Sequence, residues 1–302
     1  MELWIPITIA AAFSQNLRSA LQKHLKGTVG TTGATFIRFG FGFPIALAYL
    51  GALLLFTGEG LPAVKNSFYA AAALGGLAQI IATFLLVYLF SYRNFAVGTA
   101  YSKTEPVQAA LFGFILLGEK LTWFGMTAIS VGIIGVLCIS LGKVKFTGRS
   151  FTAALFGKPA LIGLSAAAFF GASAAFVRTA SLSVDAESFL LKAAFALVCV
   201  TGFQSVAMMT WMLRACPSEL RATIKNWRMS WLVGFAGIAG SIGWFTAMTL
   251  QQVAYVRALA QIELVFTLAA SWMFFREKIT VIEFLGCVLV AIGGVGIVLA
   301  AP

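Results

Sequence analysis

The chain has 302 residues, of which 60% are hydrophobic and 10% charged, and its mean hydropathy is +0.95. A soluble domain carries about 25% charged residues, so too little polar surface remains to cover a water-facing fold. The net charge of +11 would suggest nucleic acid on a soluble protein; here the bases cluster in loops, as the positive-inside rule requires, and no nucleic-acid partner is expected.

Apolar runs near the ~20-residue length that crosses a bilayer predict ten spans, at 3–22, 33–56, 67–91, 95–117, 123–141, 159–180, 187–213, 230–250, 253–275 and 281–300. The chain is thus expected to be an all-α integral membrane protein whose surroundings are the lipid bilayer. The first span lacks a basic n-region and a small-residue cleavage pattern, so it reads as a span and not as a cleavable signal. Cys138, Cys199, Cys216 and Cys287 show no ligand spacing. They read as small apolar core residues, and no metal, redox group or other cofactor is expected. His24 reads as a solvated loop residue. Trp4, Trp123, Trp227 and Trp231 lie near span ends and are assigned to the interfacial belt.

Residues 96–141 recur as 254–299 at an offset of 158. At that offset Ala96, Ala100, Glu105, Glu119, Lys120, Thr122 and Gly135 meet Ala254, Ala258, Glu263, Glu277, Lys278, Thr280 and Gly293. A period this long is not that of a solenoid; one half was built twice. The halves are 1–142 and 159–302, joined by a basic linker at 143–158, and together they form one domain. Five spans is an odd number, so the second half enters the membrane in the opposite sense, and the two are inverted repeats. Such repeats suit alternating access, because each half can adopt the other's conformation. The first and sixth spans also correspond weakly, each carrying a small or polar stretch that ends in an arginine, Arg18 and Arg178.

Loops after odd-numbered spans hold Lys23, Lys26, Arg93, Lys143, Lys145, Arg149, Lys158, Arg214, Arg221, Lys225, Arg228, Arg276 and Lys278, and loops after even-numbered spans hold Lys65, Lys120 and Arg178. The charge rule then places the odd-span loops in the cytoplasm and both termini outside.

Two segments closing the fourth and ninth spans carry a resemblance. They are Glu105-Pro106 followed by Gly118-Glu119-Lys120-Leu121-Thr122, and Arg276-Glu277-Lys278-Ile279-Thr280, each leading into a glycine-dotted last span. With Arg38-Phe39 in the second span, the chain resembles the ten-helix, EamA-type members of the drug/metabolite transporter superfamily over nearly its whole length. The second half departs from the pattern, with no proline after Glu263 and with Lys192 near where an Arg-Phe pair is expected. The resemblance implies a secondary transporter, most often an exporter of amino acids or other small metabolites, in a bacterial inner membrane. Aromatic amino-acid exporters are the members it looks most like. It also implies cytoplasmic termini, against the charge count; the count belongs to this sequence and is favoured.

An ionisable residue inside a span costs at least ~2.5–3.5 kcal/mol on insertion scales and usually faces the bundle interior. The candidates are Arg38, Lys103, Glu105, Lys192, Arg257 and Glu263. At helical spacing Tyr101, Glu105, Gln108 and Phe112 share one face of the fourth span, with Thr99 and Lys103 beside them. On the ninth span Tyr255, Leu259, Glu263 and Phe266 repeat the first stripe and Arg257 and Gln261 the second. Each half thus offers a carboxylate and a base. They could hold a zwitterion or a coupling proton, or pair internally, as Glu105 with Arg38 or Lys103. Pro106 could kink the fourth span beside Glu105. Phe84 and Tyr88 on the third span and Trp244 on the eighth would line an apolar cavity if they face inward; the alternative is a lipid-facing position. Gly234, Gly237, Gly240 and Gly243 on the eighth span read as close helix packing. Glu119-Lys120 and Glu277-Lys278 read as fold elements that pair locally or cap the next helix.

No HExxH, Ser/His/Asp set or Gly-rich phosphate loop appears, so an integral-membrane enzyme is disfavoured. No filter-like loop or ring of charges marks a channel. Organic cations and nucleotide sugars remain alternative solutes, though a diphosphate would need more buried bases. One chain already encloses a pathway, so a functional monomer acting on a small-molecule substrate is expected.

Overall fold

The computed structural model describes residues 2–92, 101–141, 157–265 and 280–301. Thr99, Phe266, Glu277-Lys278, most of the basic linker and the Ala96 and Ala100 ends of the repeat lie outside the described residues. The apolar runs form helices: α1 (Trp4–Gly40), α2 (Phe43–Thr57), α3 (Ser67–Leu89), α4 (Glu105–Leu117), α5 (Trp123–Leu141), α6 (Lys158–Leu182), α7 (Phe189–Ala215), α8 (Pro217–Lys225), α9 (Trp227–Leu250), α10 (Val253–Leu259) and α11 (Val281–Ala300). Among the described residues, six helical runs are long and apolar enough to cross a membrane, the first being Trp4–Thr57. One two-residue antiparallel ladder, Ala63↔Asp185 and Val64↔Val184, joins two loops.

The loop expected at 23–32 is instead helical, with a reversal at Gly30. Along one straight helix Gln22 and Ala34 would stand about 18 Å apart at 1.5 Å per residue, yet Gln22 Nε2 donates to the Ala34 carbonyl at 2.7 Å. The chain therefore folds back at Gly30, whose φ of 76° and ψ of −179° lie in a region open essentially to glycine alone. His24 and Lys23 are exposed on the helix before this turn. The short α8, placed in a loop by hydropathy, packs under the turn, and Glu219 Oε2 accepts from the Gly33 N–H at 2.8 Å. A Cβ on Gly30 would run into the Glu219 carboxyl. Gly30→Ala is expected to destabilise the protein by about 1–3 kcal/mol, the cost of a forbidden backbone conformation, measurable as a lower melting temperature in detergent.

Helix contacts respect the repeat. The α1 hairpin packs on α9, and its counterpart α6 packs on α3; α2 packs on α7; α4 meets α6, and α10 meets α1; the last helices of the halves, α5 and α11, pack on each other. Each pairing maps onto another, or onto itself, when the halves are exchanged. At the α5–α11 crossing the backbones touch: a Cβ on Gly135 would lie 2.6 Å from the Gly286 carbonyl oxygen, and one on Gly293 2.7 Å from the Gly132 nitrogen. The glycine row on α9 is likewise a packing surface, with Gly234 against Phe41, Gly237 against Arg38, and Gly240 and Gly243 against Ala11. Thr122 Oγ1 accepts from Gly125 N–H at 3.0 Å at the start of α5. Its repeat mate Thr280 forms a capping box with Glu283 at the start of α11. The threonines, not Glu119, cap these helices. Trp4 is buried, contrary to the interfacial assignment, whereas Trp123, Trp227 and Trp231 are exposed.

The fourth span is interrupted by a turn, and the ninth tightens into a 3-10 turn at the matching place. Tyr101 and Ser102 are helical, Lys103 and Thr104 form a turn, and α4 starts afresh at Glu105. In the ninth span α10 ends at Leu259 and a 3-10 turn, Ala260–Ile262, leads into Glu263. The repeat-related carboxylates thus stand at repeat-related irregularities of the helix, and a 3-10 stretch within a helix often marks a functional hinge.

Candidate functional site

The two irregular stretches meet at a set of crossed ion pairs. Glu105 Oε1 of the first half lies 3.0 Å from Arg257 Nε of the second. Lys103 Nζ of the first half pairs with Glu263 Oε1 of the second. The internal pairing expected of Glu105 with Arg38 or Lys103 is therefore replaced by pairing between halves. The acids correspond at offset 158 but the bases do not, since Lys103 maps to Gln261 and Arg257 to Thr99. Glu105 occupies the first turn of α4, where the helix dipole favours a carboxylate. Pro106 lies in that same turn, where its missing N–H costs nothing, so it begins a helix and does not kink a continuous one.

Trp244 completes the second-half side. The Arg257 guanidinium lies over its ring at 4.8 Å, a cation–π contact that steadies a buried charge, and Trp244 Nε1 donates to Gln15 Oε1 at 3.1 Å. Beside these groups is a cavity of about 290 Å³, lined by Gln15, Asn16, Ser19, Lys23, Leu86, Phe90, Ser102, Lys103, Glu105, Phe170, Arg257, Glu263 and Leu264. That volume is at the lower edge of ligand pockets, ~300–1,000 Å³, and suits a small metabolite.

The other candidates fall elsewhere. Phe84 and Tyr88 are 36% and 39% exposed and stack on each other at 6.2 Å on the outer face of α3. The same helix instead turns Leu86 to the cavity, with Phe90 just past its end, because residues two apart point to different faces. Tyr101 does not share a continuous helical stripe with Glu105, since the Lys103–Thr104 turn intervenes; its carbonyl accepts from Thr104 Oγ1 at 2.8 Å. Gln108 Nε2 donates to Thr104 Oγ1 at 3.2 Å and steadies the break from within α4. Neither Tyr101 nor Gln108 lines the cavity. Arg38 is buried behind the wall, donating to Thr83 Oγ1 at 3.0 Å and lying over Phe39 at 5.2 Å. Lys192 is half-buried on α7, away from the cavity.

Two features escaped the candidate set. Arg18 is buried in the first span; its signal was the correspondence with Arg178. Arg178 is no loop charge: it lies in α6, with Nε 2.5 Å from Glu119 Oε1. It donates to the carbonyls of Met248 and Gln251, the latter at 2.6 Å. Glu119 Oε2 accepts from Val253 N–H at 3.3 Å. This latch ties the α4–α5 corner to the α9–α10 corner. It lies one α4 length from Glu105, about 20 Å for thirteen residues, toward the end of α6, where Ser183 meets Ser67 at the start of α3 at 2.9 Å. The cavity lies toward the other end of α3, at Leu86 and Phe90. Removing Arg178 from the loop count leaves the charge asymmetry unchanged in sense. Among the described residues no three His, Cys, Asp or Glu side chains converge as metal ligands.

Two helical repeats packed on each other, with charged residues at their junction, are an architecture shared by many secondary transporters. The EamA-like transporter family matches residues 2–141 and 157–299, one match for each half. The chain belongs to that family: it is an integral membrane protein that moves small solutes and is not an enzyme. A solved crystal structure is similar in fold over 96% of this chain and 98% of its own, with a TM-score of 0.62 and 16% identity. No curated protein matches.

Proposed function

We propose that this transporter carries small carboxylate-bearing metabolites, amino acids foremost, by gradient-driven alternating access, and that it exports them across a bacterial inner membrane as a monomer. The observation that carries the reading is the crossed pairing of Glu105 with Arg257 and Lys103 with Glu263 beside a cavity of about 290 Å³. A substrate carboxylate can take a base from one pair while its ammonium takes the freed acid. Exchange of partners couples binding to the relation between the halves, since a ligand shifts a two-state equilibrium only through contacts that differ between the states.

The cavity wall supports small apolar side chains through Leu86, Phe90, Phe170 and Leu264. A preference for aromatic amino acids loses the support of Phe84 and Tyr88, which are exposed on α3, and of Trp244, which is buried against Arg257 and does not line the cavity. The volume speaks against nucleotide sugars, and the excess of bases against organic cations.

The test is counterflow of labelled tryptophan, phenylalanine, leucine, threonine and glutamate into proteoliposomes, at equal and unequal pH. Saturable exchange of one or more is expected, and a response to the pH gradient would identify a coupled proton. Absence of exchange for every amino acid, with protein shown to be folded, would overturn the amino-acid reading.

A further inference from the structure

We infer that the central cavity selects substrates with a net negative charge, small dicarboxylates and acidic amino acids, and that Arg18 and Arg38 supply the selecting charge. The inference rests on the transporter reading of this cavity and narrows its substrate class.

Among the described residues, apart from the exposed Lys23 at the cavity wall, six ionisable side chains surround the junction of the halves: Arg18, Arg38, Lys103 and Arg257 against Glu105 and Glu263. Lys103 and Arg257 are matched by the two carboxylates. Four bases against two acids leave an excess of two positive charges, carried by Arg18 and Arg38. These are 2% and 3% exposed. Among the described residues neither forms an ion pair with a carboxylate within 4 Å, Glu105 acting on Arg38 only from farther away, and the Nε of each lacks a hydrogen-bond acceptor. Their contacts are neutral: Arg18 reaches Ser19 Oγ at 3.4 Å and Arg38 reaches Thr83 Oγ1 at 3.0 Å.

The fold holds these two charges together. The Gly30 reversal brings the two strokes of α1 side by side, and Gly237 of α9 leaves room for both stems. A Cβ there would lie 3.2 Å from Arg38 Cγ and 3.5 Å from Arg18 Cδ. Buried charges are ordinarily paired, because an uncompensated one is costly in a low-dielectric interior. The Arg18 contact, Ser19, lines the cavity one helical turn from Gln15, and Lys23 lines it one turn further. The wall of the cavity is thus backed by positive charge that screens weakly across a dry interior, and the same sign stands where Lys23 would steer an incoming anion. A zwitterion brings no net charge to this field and a cation is repelled by it. An anion with one carboxylate more than its ammonium count compensates it.

The experiment is counterflow in proteoliposomes holding the full chain, with labelled succinate, glutamate, leucine and lysine at equal concentration. Succinate and glutamate are expected to exchange about tenfold or more faster than leucine and lysine, the ratio that ~1.4 kcal/mol of differential binding gives. Arg18→Gln and Arg38→Gln are expected to lower the glutamate-to-leucine ratio by a similar factor. That ratio would not move if the arginines only supported the fold. Leucine or lysine exchanging as fast as the anions would overturn the inference and leave the transporter reading standing. An unchanged ratio in both folded variants would overturn the assignment to these arginines. Failure of all four probes to exchange, with folded protein, would overturn the inference and the proposed substrate class together.

Discussion

Glu105→Gln is expected to reduce counterflow by about a hundredfold or more, a loss that corresponds to ~2.7 kcal/mol at tenfold per 1.36 kcal/mol, while the purified protein stays folded. The carboxylate is the only acid paired with Arg257 among the described residues. Glutamine preserves its shape but not its charge. Removing one partner of a buried pair costs about 3–5 kcal/mol where the remaining charge has no other support. Here the Arg257 guanidinium also lies over Trp244 at 4.8 Å, so in the variant the remaining charge keeps a cation–π support. The variant should therefore remain folded yet lose the acid that must change partners when substrate binds. Lys103→Ala should behave alike through the second pair, because it removes the base that bridges Glu263 to the first half. The check is counterflow of glutamate and leucine together with size-exclusion chromatography of each variant. Wild-type flux from both folded variants would remove these residues from the site.

The second large effect is structural. Gly135→Ala is expected to destabilise the protein by about 1–3 kcal/mol, the usual cost of overpacking, and Gly135→Leu to prevent folding. A Cβ at Gly135 would stand 2.6 Å from the Gly286 carbonyl oxygen and 2.7 Å from the Val290 nitrogen. These are backbone atoms of α11, which cannot step aside as a side chain would. Gly132 on the same helix is the control: a Cβ there meets nothing within 4 Å, so Gly132→Ala should be neutral or slightly stabilising, since alanine favours the helix. Thermal unfolding of the variants in detergent separates the two. Equal melting temperatures for Gly132→Ala and Gly135→Ala would show that the helices can separate at no cost and that close backbone approach does not hold this interface.

Much of the site was legible because the chain repeats itself. Glu105 and Glu263 stood out as carboxylates in matching places within apolar runs, where each needed a partner. Lys103 and Arg257 stood out for the same energetic reason. Their partners were not legible. Spacing along a helix reports which residues share a face, and it carries no information about which face of another helix lies opposite. The stripe through Tyr101 and Glu105 assumed an unbroken helix, and the turn at Lys103–Thr104 removed that premise. Phe84 and Tyr88 have the composition of a binding surface, but α3 turns Leu86 to the cavity, with Phe90 just past its end.

The sequence by itself determined the membrane class, the positions of most spans and the duplication, since hydropathy is a property of each segment against lipid and a repeat is a property of the string. Only the tertiary structure decided that the first two spans reverse at Gly30, that the acid of each half pairs with a base of the other, that Glu119 holds Arg178, and that Arg18 and Arg38 lie together with no salt bridge to an acid among the described residues. These depend on distances between groups remote in the chain. The interior of a bilayer protein makes such distances decisive, because an unpaired charge there has no water to turn to.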